Sequence, residues 1–233
     1  MAATQPVKIR NAAILTMDAE VNNLENGVIV IQDGKILALR TNLPLPRPDA
    51  IKIHWTNHIV LSGFADCHRR ALMETLRQIH SNSASLYKYL GVGNNELLEH
   101  FRPEDVDAGV YSTAFAAINA SATTVIDNMH ANKSPAHAAA AIKARQDAGC
   151  EALVAFKFGW EHSLPEEEID EQLNTARAAI SPDAKSRIDV AICGPFHEAE
   201  AKVAPKQGAR ISAEYGQMLS ERSEAIPTPK ISI

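Results

Sequence analysis

The chain has 233 residues, 45% of them hydrophobic and 22% charged, which is the make-up of a globular protein able to bury a sizeable core. Its formal net charge of −5 comes without a basic stripe, which argues against nucleic acid as a partner. No apolar run is long enough to span a bilayer, and Met1 to Arg10 lacks the apolar core of a secretory signal.

Residues 7–40 read as β-structure. Val7-Lys8-Ile9 leads into Ala12 to Met17, and two apolar runs, Gly27 to Ile31 and Lys35 to Leu39, flank Gln32-Asp33-Gly34. An Asp-Gly step between apolar runs predicts a hairpin. A proline-rich loop follows (Leu43 to Pro48), then short strands at Ile51-Lys52-Ile53 and Ile59-Val60-Leu61. Residues 1–58 are thus expected to form a β-rich, sandwich-like segment.

From residue 59 the pattern alternates strand and helix. Ala71 to Leu90 reads as a helix, and a second starts at Pro103 with Glu104 and Asp105 in its first turn. The strand Thr123 to Asp127 precedes a helix from Ser134 to Ala148, with Ser134 as N-cap, Pro135 at its first position and Gly149 as its stop. Strand Ala152 to Phe158, helix Pro165 to Ile180, strand Ile188 to Cys193, helix Glu198 to Lys206 and strand Ala209 to Ala213 follow. About five βα units predict an α/β fold, a partial TIM-type (β/α) barrel over residues 59–233. The three cysteines, Cys67, Cys150 and Cys193, are scattered in apolar runs, so buried free thiols in a cytoplasmic setting are expected.

One stretch carries most of the chemistry. Ser62-Gly63-Phe64-Ala65-Asp66-Cys67-His68-Arg69-Arg70 reads as a strand running into a His-x-Arg pair. Strand alternation would put His68 and Arg70 on one side. This stretch, the Asp33-Gly34-Lys35-Ile36 hairpin, the strand Thr123 to Asp127 reaching His130, and Asp147-Ala148-Gly149 together resemble the amidohydrolase superfamily, in particular its cytosine deaminase and chlorohydrolase-like branch. The resemblance implies a small β-sandwich beside a (β/α)₈ barrel, with a divalent metal at the C-terminal ends of the barrel strands. It covers roughly the first half of a usual family member.

The departures are specific. The family's His-x-His is His68-Arg69-Arg70 here, and Glu214 stands where the family has a strand-five histidine. The late Asp ligand has no counterpart, Ser62 replaces a proline and Ala122 a glycine. A guanidinium does not ligate metal. This predicts an Arg70–Glu214 ion pair in place of the metal and no cofactor, with one divalent ion such as zinc as the alternative.

On that reading His68, Arg70, His130 and Glu214 are the candidate catalytic residues: His68 or Glu214 as base, Arg70 stabilising an enolate or oxyanion, His130 as acid. Lys157, unusual in the apolar strand Ala155-Phe156-Lys157-Phe158, and the aromatic Trp160, Phe196 and Tyr215 are candidates for binding a small-molecule substrate. The expected activity is metal-independent isomerisation, cyclisation or elimination of a carbonyl compound. The alternatives are a metal-dependent hydrolase or deaminase acting on C–N bonds with a rebuilt site, and a non-catalytic binding relative. Five strands do not close an eight-stranded barrel, so a homodimer shielding the open edges is expected.

Overall fold

The computed structural model describes residues 4–41, 49–79, 85, 88, 92, 96–158, 164–183, 186–193, 198–206 and 210–212. The chain divides into two compact units, Met1–Gly63 and Phe64–Ile233.

The first unit is a five-stranded sheet. Strands β1 (Val7–Leu15), β2 (Leu24–Gln32), β3 (Lys35–Arg40) and β4 (Ile51–His54) lie in the order β3-β2-β1-β4, and β5 (Ile59–Leu61) also pairs with β1. The β2–β3 hairpin turns on Asp33 and Gly34, both in the left-handed region (φ 51° and 73°), as a two-residue turn matched to strand twist requires. Thr4 fastens that turn: its N–H and hydroxyl each donate to Asp33 Oδ1 at 2.8 Å. Ile9, Ala12, Ile14 and Ile29 form the core. The step between Ile9 and Ala12 is out of alternation because Asn11 sits at φ 62°, where the β1–β2 register shifts.

The second unit is a parallel sheet backed by helices. Its strands β6 (Phe64–Arg69), β7 (Ala122–Met129), β8 (Glu151–Phe156), β9 (Ile188–Cys193) and β10 (Arg210–Ser212) lie in the order β10-β9-β8-β7-β6. Consecutive strands pair in parallel, joined by α1 (Pro103–Asn119), α2 (Pro135–Ala148), α3 (Glu166–Ala178) and α4 (Glu198–Lys206). This is the partial (β/α) barrel pattern.

The strands are buried on two faces. Val154, Phe156, Val190 and Ile192 pack with Ile142 of α2 and with Ile169 and Leu173 of α3 in the main core. Ala155, Ala191 and Cys193 form a separate cluster with Leu153, on the face turned away from the helices. Helix α2 starts with Pro135 at its first turn and ends at Gly149, left-handed at φ 73°. Ser134 makes no cap bond; its hydroxyl instead lies 2.8 Å from His137 Nδ1.

The expected long helix from Ala71 to Leu90 is not formed at its start. Ala71–Leu76 is a 3₁₀ turn, and Gln78 enters the left-handed region at φ 68°, which ends any helix there. Most of residues 80–95 lie outside the described residues.

Candidate functional site

Parallel register sets which side chains share a row. Asn128 of β7, Ala155 of β8 and Ala191 of β9 are aligned partners, and the next row on that face is reached two residues on. The ladder continues past β8, because Lys157 N–H donates to Met129 O at 3.0 Å. His130, Lys157 and Cys193 therefore sit level at the C-terminal ends of three neighbouring strands. All three are withdrawn from solvent, as is Asn128.

Their contacts tie β7 to β9 across β8. The Cys193 thiol donates to Asn128 Oδ1 at 3.4 Å, and Cys193 Sγ lies 4.0 Å from His130 Nε2. In the row below, Ala155 and Ala191 are small and Asn128 is the polar member. An imidazole, an amide, a thiol and an ammonium held together in low dielectric can hold the polar edge of a small ligand and move a proton.

The end of β6 is built differently. Three residue steps on β6, Asp66 to Arg69, face two on β7, Val125 to Asp127. The extra residue breaks the alternation, so His68 and Arg70 are not placed on one side by strand geometry, as the sequence alone implied. Arg70 lies beyond the strand with φ −119° and ψ 79° and is half-buried, while His68 is exposed. Asp66 organises this bulge: it accepts His68 N–H at 3.2 Å and Arg69 Nε at 2.6 Å. Burial pulls its carboxyl up, but the bonds from Arg69 and His68 outweigh that and hold it below the usual carboxylate range.

Behind the site Asp127 of β7 meets Arg145 of α2, Nη2 to Oδ2 at 2.8 Å, with both side chains fully buried. Asp127 Oδ1 also accepts Ala71 N–H at 2.9 Å, directly after Arg70.

Of the residues expected from sequence, His130 and Lys157 come to one place and His68 and Arg70 end the neighbouring strand. Glu214, Trp160, Phe196 and Tyr215 lie outside the described residues, and the expected Arg70–Glu214 pair with them. Sequence reading missed Cys193 and Asn128. Counting alternate positions back from Lys157 and His130 along β8 and β7, and carrying the row to β9, would have found both. Among the described residues no three His, Cys, Asp or Glu side chains converge as a metal site. His68 occupies the first position of the family's ligand pair, and a guanidinium holds the second, so the described residues do not by themselves complete a metal shell.

No family model matches the chain. It is 30% identical over 119 residues to a 5′-deoxyadenosine deaminase of Methanosarcina acetivorans, a stretch that is 51% of this chain and 27% of that protein. It is 28% identical over 123 residues to a 5-methylthioadenosine/S-adenosylhomocysteine deaminase of Pelotomaculum thermopropionicum, covering 52% of this chain and 28% of that one. Two solved structures share its fold. Atrazine chlorohydrolase from Arthrobacter aurescens, complexed with zinc, superposes with a TM-score of 0.71 at 19% identity over 88% of this chain and 52% of that one. An adenosine deaminase from Xanthomonas campestris with bound zinc gives 0.64 at 15%, over 92% and 52%. The chain thus spans about a quarter of the length of these curated relatives and about half of each solved structure.

These findings correct two expectations. Relatives named as deaminases, and zinc in two structures of this fold, overturn both the metal-free isomerase, cyclase or lyase chemistry and the expected absence of a cofactor. The error was to let one cation, Arg70, decide the chemistry of a site whose other members come from several strands. In sequence this chain is thus similar to named deaminases over about half of its length, and its fold is that of the chlorohydrolase, deaminase and amidohydrolase structures it matches, over about half of theirs.

Proposed function

We propose that the chain serves a metal-dependent hydrolase that acts on C–N bonds, deaminating an aminated nitrogen heterocycle of the adenine-nucleoside type. The observation that carries this reading is the identity to two nucleoside deaminases over about half the chain. The buried polar row supports it. A deaminase must hold an aromatic ring edge-on and pass protons to its ring nitrogen and leaving amine, and His130, Lys157 and Asn128 are donors and acceptors of that kind.

His68 is the residue of this chain proposed to hold the metal. Glu214 is proposed as a further carboxylate donor, and Trp160, Phe196 and Tyr215 as ring-facing side chains. Arg70 is proposed to bind substrate, since its fixed charge suits a polar oxygen or ring nitrogen. Cys67, Cys150 and Cys193 form no disulfide, which suits a cytosolic enzyme.

The test is ammonia release from 5′-deoxyadenosine and 5′-methylthioadenosine by the purified full chain, with zinc analysed in the same sample. Release that a chelator abolishes and zinc restores is expected. Nucleoside bound without ammonia, at stoichiometric zinc, would overturn the proposal in favour of a binding relative.

A further inference from the structure

Ala71 follows Arg70 directly, and buried side chains take both of its backbone polar groups. Its N–H donates to Asp127 Oδ1 at 2.9 Å, and its carbonyl accepts Thr113 Oγ1 of α1 at 2.9 Å. The next carbonyl, Leu72 O, lies so close to α1 that a Cβ added at Gly109 would meet it at 2.7 Å. Asp127 is in turn fixed through its other oxygen, which receives Arg145 Nη2 at 2.8 Å. Strand β7 and helices α1 and α2 thus converge on the residue that directly follows the His68–Arg70 stretch. The first N–H of a 3₁₀ turn has no partner within the turn, so Asp127 is what holds the chain's direction at that point.

We propose that Asp127 is a positioning residue: through the Ala71 N–H it sets how the His68–Arg70 strand end meets the candidate site, with Arg145 fixing the rotamer of the carboxylate. The inference rests on the reading of that strand end as part of a deaminase site. A purely structural role would be met by any well-packed replacement of the buried pair. A positioning role requires an acceptor where Asp127 Oδ1 now lies.

Two double variants of the full chain separate these. Asp127→Asn with Arg145→Met keeps the acceptor and removes both charges. Asp127→Leu with Arg145→Met removes the acceptor as well at similar volume. The Ala71 amide is expected to exchange about tenfold faster in the Leu variant than in the Asn variant, the equivalent of one lost hydrogen bond. Ammonia release is expected to fall by about tenfold in kcat in the Leu variant, with KM held within about threefold, while the Asn variant stays near wild type. Should the Leu variant not fold, Asp127→Glu, which keeps the charge but displaces the acceptor, is expected to give the same pattern. Equal exchange in the two double variants, or faster exchange with unchanged kinetics, would overturn the proposal. If the wild-type chain releases no ammonia, the deaminase reading alone fails, and the exchange contrast still decides whether Asp127 holds the strand end.

Discussion

Cys193 and His130 come from strands separated by a third, yet Cys193 Sγ lies 4.0 Å from His130 Nε2, and the thiol proton is directed to Asn128 Oδ1 at 3.4 Å. On that face of β8, Lys157 lies level with both, and Ala155, in the row of Asn128, presents only a methyl group. A thiol so placed belongs to the candidate site, whereas Cys150 lies at the opposite, N-terminal end of β8.

The two buried cysteines should therefore answer differently to substitution. Cys193→Val removes the donor to Asn128 and the neighbour of His130, and is expected to weaken 5′-deoxyadenosine binding about tenfold, the size of one hydrogen bond in a dry site. Cys150→Val should leave binding unchanged. Calorimetric titration of both variants is the check, and equal affinities would remove Cys193 from the site.

The Asp127–Arg145 pair gives a second expectation. Burial works against the Arg145 charge, but the Asp127 carboxylate more than offsets it, so the guanidinium is held above its ordinary value. Arg145→Met alone strands a buried carboxylate and is expected to cost about 3–5 kcal/mol in urea unfolding. Adding Asp127→Asn should restore most of it, since an uncharged pair of similar volume carries no such penalty. A single variant as stable as the double would show that water reaches Asp127.

Local signals were legible in the sequence, and long-range ones were not. Asp33-Gly34 between apolar runs gave the hairpin, and Pro135 and Gly149 bounded α2, because turn and helix-end chemistry is local, although Ser134 makes no cap bond. The bulge that breaks the His68–Arg70 alternation depends on pairing with β7, which no local pattern encodes. Strand β7 runs to Met129 rather than ending at Asp127, so His130 directly follows the strand. Arg145 reads in sequence as a surface residue in the last turn of a helix. Its burial follows only once β7 brings Asp127 beneath α2.

The N-terminus of α1 should be sensitive to acid. Asp105 accepts Arg102 N–H at 2.9 Å and Arg102 Nε at 3.1 Å, and these bonds hold its carboxyl below the usual range. A depressed carboxyl stabilises the fold above its unfolded value, and that contribution is lost as pH falls through the lower folded value. Protection of the Arg102 amide, the slowing of its exchange relative to the free-peptide rate at the same pH, should thus be constant above about pH 5 and fall as pH drops below about 4. Asp105→Asn should show the lowered protection at every pH. Arg102 protection indifferent to pH would mean that Asp105 does not cap the helix.

The exposed side of α1 carries the last expectation, a homodimer. Tyr111, Phe115 and Ile118 are 40%, 53% and 41% exposed, and the Tyr111 and Phe115 rings meet at a tilt of 57° with centroids 5.0 Å apart. They lie at helical spacing on one stripe, and no charged residue occurs between Ala108 and Ala120. Helix α3, by contrast, shows solvent Glu167 and Glu171. Beside α1 in the chain order of the sheet, β6 pairs among the described residues with β7 alone. A twofold contact between two such stripes would bury Tyr111, Phe115 and Ile118 in each copy. Sedimentation at micromolar concentration is expected to give a dimer, and Phe115→Lys, which places a charge at the centre of the stripe, should give a monomer with an unchanged circular dichroism spectrum. A wild-type chain that sediments only as a monomer would leave the stripe and the β6 edge to some other polypeptide, and the homodimer would be wrong.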